Sequence, residues 1–216
     1  MLRDARQAVQ GDSPHPWPTT ANLIMRSSRS PFVRPSVHQE PHGAVAVVRH
    51  YIGDLIYGAN DGLITTFAVV AAASGGALTA RTVLIVGMAN LLADGLSMGV
   101  GNYLSIRSHE GALAAVGRPE EETFPARHGA ATFLAFVLAG IVPLLPYALG
   151  ASIPVGLVTS VLLTFATLFA VGASRALVTV SRWWIAGIEM LALGVGVALV
   201  AYFAGAIVSG LAGGGA

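Results

Sequence analysis

The chain has 216 residues, 54% of them apolar and only 11% charged, with a formal net charge of +1 and a mean hydropathy of +0.69. A soluble domain carries about 25% charged residues to solvate its surface, so much of this surface is expected to face lipid. The absence of cysteine excludes disulfide scaffolding, thiolate zinc sites and thiol catalysis, and Arg residues confined to the segments outside the apolar runs leave no nucleic-acid surface.

Residues 1–48 are rich in Pro, Ser, His and Arg, with Pro14, Pro16, Pro18, Pro31, Pro35 and Pro41 interrupting any helical pattern. They read as a disordered tail, and no apolar stretch follows Met1 to make a signal peptide. Five long apolar runs come next, at residues 54–78, 82–106, 130–150, 154–174 and 184–208. A helix rises about 1.5 Å per residue and the hydrocarbon core is about 30 Å thick, so each run is long enough to cross. No strand alternation suggests a barrel, and the expected fold is all-α and polytopic with five transmembrane helices in residues 49–216.

Charge sets the orientation. Arg3, Arg6, Arg26, Arg29, Arg34 and Arg49 in the tail, Arg107, Arg118 and Arg127 after the second run, and Arg175 and Arg182 after the fourth all fall on one side, with Arg81 alone opposite. This bias predicts a cytoplasmic N-terminus and an outside C-terminus, with Trp183, Trp184 and Tyr202 as interfacial anchors, an arrangement suited to a bacterial inner membrane.

Ionisable groups inside a span cost about 2.5 to 3.5 kcal/mol each near its centre, so they call for a partner or a function. In the first span Asp54, Gly58, Asp61 and Thr65 share one helical face; in the second, Asn90, Asp94, Met98 and Asn102 recur every four residues. Counted from the cytoplasmic side, Asp61 lies about 10 Å deep and Met98 about 12 Å, which lets both meet one ion. Carboxylate and amide oxygens with a thioether favour Fe²⁺ or Mn²⁺ over Mg²⁺ and Ca²⁺, and the carboxylates can exchange metal for protons. Plainer roles exist for each: Asp54 as a helix cap at the membrane surface, Asp61 and Asp94 as inter-helix hydrogen-bonding groups, Met98 as packing, Glu189 as a snorkelling interfacial residue. Gly58 with Gly62 and Gly95 with Gly99 permit close helix approach and a dimer contact.

The segments Asp61–Val70 (DGLITTFAVV) and Ala89–Ser105 (ANLLADGLSMGVGNYLS) resemble the two signature helices of the vacuolar iron transporter family, and the likeness extends more loosely through Arg175–Val208. The resemblance implies a five-helix subunit working as a homodimer that moves Fe²⁺ or Mn²⁺ out of the cytoplasm in exchange for protons, with no further cofactor. Asp61 matches the family's first-helix Asp and Met98 its second-helix Met, both pathway ligands; Asp94, Asn90 and Asn102 join them from geometry. Two departures stand out. Many members carry a long Glu-rich cytosolic helical domain after the second span, where this chain has only residues 107–129; there Glu120, Glu121 and Glu122, with His109, Glu110 and His128, form a candidate cation-capture set or a solvated acidic loop. Asn102 stands where many bacterial relatives have Glu, which bears on metal choice and proton coupling.

Other functions stay open on the residues alone. A proton-coupled carrier of another small solute would use the same carboxylates. Asp61 and Asp94 on facing helices imitate an aspartyl intramembrane protease, and Gly95-Leu96-Ser97-Met98-Gly99 satisfies a GxSxG pattern, although within an apolar helix. His109-Glu110 begins an HExxH whose last position is Leu113, and no phosphate-binding loop is present.

Overall fold

The computed structural model describes residues 35–177 and 181–213. Among these, apart from an isolated bridge between Ser36 and Glu120, regular structure is helical: α1 (Ala44–Gly75), α2 (Ala80–Ala115), α3 (Pro125–Gly140), the short α4 (Leu145–Ala148), α5 (Ile153–Ser174) and α6 (Trp183–Gly213). Joined by a 3₁₀ turn at Val142–Leu144, α3 and α4 make one crossing, so five stretches are long and apolar enough to span a membrane.

Local chemistry explains the boundaries. Pro41 is the last breaker before α1, and Gly43 turns the chain with φ 88°. The helix therefore starts at Ala44, earlier than the apolar run at Asp54, and takes in the last residues of the expected tail; residues 1–34 of that tail lie outside the described residues. Thr79 caps α2 by accepting the Thr82 N–H at 3.2 Å. Pro125 sits at the start of α3, where its missing N–H costs nothing. The apolar run over residues 130–150 is not one continuous helix, because Pro143 and Pro146 cannot donate within a helix. The Ser160 hydroxyl donates to the Pro143 carbonyl at 2.8 Å.

Packing puts α1 at the centre, against α3, α6, α2 and α5, with α3 wedged between α1 and α2. The two small-residue pairs serve this wedge within the protomer. A Cβ at Gly58 or Gly62 would strike the backbone carbonyls of Thr132 and Phe136 on α3, and one at Gly95 or Gly99 would meet Phe136, Phe133 and Gly129 of the same helix. Leu63, Phe67, Val70, Leu91, Phe136 and Leu168 fill the core. The outside is apolar, with Leu138, Leu162, Val200 and Ile207 each at least 61% exposed, which is the inverse of a water-facing surface and the pattern lipid demands.

Candidate metal centre and intramembrane seam

At 32 and 36 residues, α1 and α2 run to about 48 and 54 Å, well beyond a hydrocarbon core of about 30 Å. Topology brings the first turns of α1, the last turns of α2 and the start of α3 to one end of the bundle. Segment 35–43 and loop 116–124 close over that end. Backbone bonds from Val37 N to the Glu120 carbonyl and from Glu120 N to the Pro35 carbonyl, both 2.9 Å, join them. Arg127 adds a two-pronged ion pair to Glu40 at 2.9 and 3.1 Å.

Asp54 is the inner anchor of this end. It is not a cap: it lies well inside α1, half-buried, and both carboxylate oxygens are used. Asn102 Nδ2 of α2 donates to its Oδ1 at 2.7 Å, and His128 Nδ1 of α3 lies 2.6 Å from its Oδ2. The same Asn102 amide donates to Thr132 Oγ1 at 2.7 Å, and Thr132, fully buried, donates back to the His128 carbonyl at 3.0 Å. Asn102 therefore ties three helices together at the mouth.

Above it, Glu122 is a hub. Its Oε2 lies 3.1 Å from His128 Nε2, 3.3 Å from His38 Nδ1 and 3.4 Å from His50 Nε2. Burial alone would raise its carboxyl, but the Phe124 N–H, the His128 contact and the neighbouring imidazoles of His128 and His38 outweigh that and hold it below the usual glutamate range. Glu110, expected in the capture set, is buried and plays a different part. Its Oε1 accepts the N–H groups of Glu121 at 3.0 Å and Glu122 at 2.8 Å, fixing the loop that presents Glu122. Glu121 and His109 pair at 3.4 Å on the exposed rim, with Arg118 also on Glu121 at 3.1 Å, and Glu120 takes the Thr123 hydroxyl at 3.3 Å. A cavity of about 420 Å³ lined by His109, Glu110, Glu121, Glu122 and His128 opens beside the hub.

Deeper, Asp61 on α1 and Asp94 on α2 lie within electrostatic range of each other, both half-buried. Thr65 spends its hydroxyl on the Asp61 backbone carbonyl at 2.8 Å. Asn90 is half-buried one turn from Asp94, while Met98 packs partly buried against the core that includes Phe67, Leu91 and Phe136. The five residues singled out in the spans thus divide: Asp61 and Asp94 interact across α1 and α2, Asn90 lies one turn from Asp94, Met98 packs against the apolar core, and Asn102 belongs to the mouth. Ser97 stands exposed in the uninterrupted helix α2, without the strained turn that a GxSxG nucleophile needs. Glu189 faces Arg175 at 3.8 Å.

His38 and His50 are the site residues that sequence reasoning does not find. His50 continues the Asp54, Gly58, Asp61 face by one turn, a signal hidden as long as the first span is taken to begin at residue 54. His38 has no such periodicity, since its place depends on the fold of segment 35–43.

A sequence model described as the VIT family matches residues 52–124 and 112–206 of this chain. The chain is 38% identical over 84 residues to "Vacuolar iron transporter" of Toxoplasma gondii, covering 39% of this chain and 27% of that one. It is 36% identical over 103 residues to "Vacuolar iron transporter 1" of Tulipa gesneriana, covering 47% and 35%. "Vacuolar iron transporter homolog 5" of Oryza sativa subsp. japonica is 31% identical over 137 residues, covering 56% and 66%. The first two matches thus span about a quarter to a third of the relatives' own length. The family match extends over most of the five helices, and on that ground the chain belongs to the VIT family.

Proposed function

We propose that this protein is a secondary transporter that carries a divalent transition metal, Fe²⁺ or Mn²⁺, from the cytoplasm across the membrane in exchange for protons. The observation that carries this reading is the juxtaposition of Asp61 and Asp94, two carboxylates on neighbouring helices inside an otherwise apolar bundle. Such groups are retained in lipid when they bind an ion or shuttle protons. The relatives named as vacuolar iron transporters support iron as the cargo. Asn90 supplies a further oxygen and Met98 a soft sulfur, a set that favours transition metals over alkaline earths.

The Arg distribution supports placing the mouth on the cytoplasmic side, so that in a bacterial inner membrane transport would run outward. A second copy is part of the proposal. Asp94 and Asn90 are half-buried on α2, whose Leu92 and Leu96, on another face of the helix, are 50% and 60% exposed, an apolar face on which a partner can pack.

The test is uptake of Fe²⁺ and Mn²⁺ into liposomes holding the purified protein under an imposed pH gradient, for the natural sequence, Asp61→Ala and Met98→Ala. Gradient-driven flux that disappears in Asp61→Ala is expected, with Met98→Ala altering the preference between the metals. Absence of flux for either metal, in protein shown to be folded and inserted, would refute metal transport and put a carrier of another solute in its place.

A further inference from the structure

We propose that His38, His50, His128 and Glu122 constitute a transition-metal site at the mouth of the bundle. Metal binding there stands on its own; its role as a loading station for the seam rests on the transport reading above.

Hydrogen-bond supply is the first indication. Three imidazole nitrogens converge on one oxygen, Glu122 Oε2, at 3.1, 3.3 and 3.4 Å. Yet His50 Nε2 and His128 Nε2 are buried without a hydrogen-bond partner, as is the other ring nitrogen of His38, whose side chain is only 6% exposed. Buried polar atoms are seldom left so. His128 sharpens the point. Its Nδ1 lies 2.6 Å from Asp54 Oδ2 and can donate there, which leaves Nε2 as the ring atom facing Glu122 Oε2 at 3.1 Å. A cation between these two atoms, a proton or a metal ion, would satisfy both.

The size of the cluster agrees. Metal–nitrogen bonds of about 2.1 Å in a tetrahedral shell place neighbouring ligand atoms about 3.4 Å apart, from the tetrahedral angle. The observed spacings of 3.1 to 3.4 Å around Glu122 are close to such ligand–ligand edges. Ligand atoms of His38, His50 and Glu122 also lie within 4.8 Å of one another.

An outer shell is present as well. A carboxylate on the remote nitrogen of a metal-bound imidazole fixes its orientation and raises its basicity. Asp54 stands in that relation to His128 and is itself held by Asn102. Three imidazoles and one carboxylate suit Fe²⁺, Mn²⁺, Co²⁺ or Zn²⁺ and disfavour Mg²⁺ and Ca²⁺, which prefer all-oxygen shells. Because His38 precedes α1, a bound ion would also clamp segment 35–43 onto the α2–α3 loop.

The experiment is a Co²⁺ titration of the full chain in detergent, purified without a polyhistidine tag and followed by visible absorption. One Co²⁺ per chain that survives Asp61→Ala, a change that removes any ion held at the seam, is expected, with this binding weakened at least tenfold in His50→Gln and in His38→Gln and undisturbed by millimolar Mg²⁺. His38 lies outside every helix, so its variant keeps the test readable if His50→Gln fails to fold. Unchanged Co²⁺ binding in the folded His variants, or binding abolished by Asp61→Ala alone, would overturn the site. Co²⁺ binding without metal flux would sink transport and leave the site standing; flux without loss of Co²⁺ affinity in the His variants would do the reverse.

Discussion

Replacing Glu110 by Ala removes the carboxylate that holds the loop behind the hub. Two backbone N–H groups, of Glu121 and Glu122, donate to a single oxygen at 3.0 and 2.8 Å, and the residue is 8% exposed. Hydrogen bonds to a charged group contribute about 1.5 to 3 kcal/mol each, so the pair accounts for about 3 to 6 kcal/mol. Water can enter from the adjoining cavity and replace part of this, which favours the lower end, about 3 kcal/mol. At about 1.4 kcal/mol per factor of ten, the local opening that exposes these amides becomes roughly a hundredfold more frequent. Hydrogen exchange read by mass spectrometry on a peptide covering residues 118–124 measures this directly. Glu110→Gln keeps an acceptor oxygen but loses the charge, and neutral bonds are about half as strong, so it is expected to speed exchange roughly tenfold. Exchange at the natural rate in the Ala variant, or a Gln variant as fast as the Ala variant, would refute this account of the loop.

Gly62→Ala should destabilise the bundle by about 2 kcal/mol, taking overpacking near 3 kcal/mol and subtracting about 1 kcal/mol of helix propensity, because the new Cβ meets the Phe136 backbone. Gly101→Ala meets nothing and should be neutral or stabilising, so thermal unfolding that moves both variants the same way would contradict the packing. Asp54→Ala is expected to lower Co²⁺ affinity at the mouth ten- to a hundredfold by freeing His128 and Asn102; a titration curve superimposable on the natural one would deny the outer-shell role. Ser160→Ala should cost about 1 to 3 kcal/mol in unfolding free energy, since the Pro143 carbonyl loses its buried donor. Chelation by EDTA is expected to raise exchange in residues 35–43 without changing α5; equal protection with and without chelator would break the link between metal and segment.

Membrane insertion, the helical class and the number of crossings were legible in the sequence because they follow from run length and the paucity of charge, quantities local to each segment. Asp61 and Asp94 were legible for the same reason: a carboxylate inside an apolar run is conspicuous without knowing its neighbours. The break in the third crossing was also written in Pro143 and Pro146, although the apolar run masked it. What the tertiary structure decided was partnership. Asp54 reads as a surface cap until α1 is seen to begin at Ala44, and Glu110 reads as a ligand until two amides of the next loop are found on it. The convergence of His38, His50, Glu122 and His128 joins residues far apart in the chain. No periodicity connects them, because they are brought together only when α1, α2 and α3 close over Gly58, Gly62, Gly95 and Gly99 and so align their ends at one mouth.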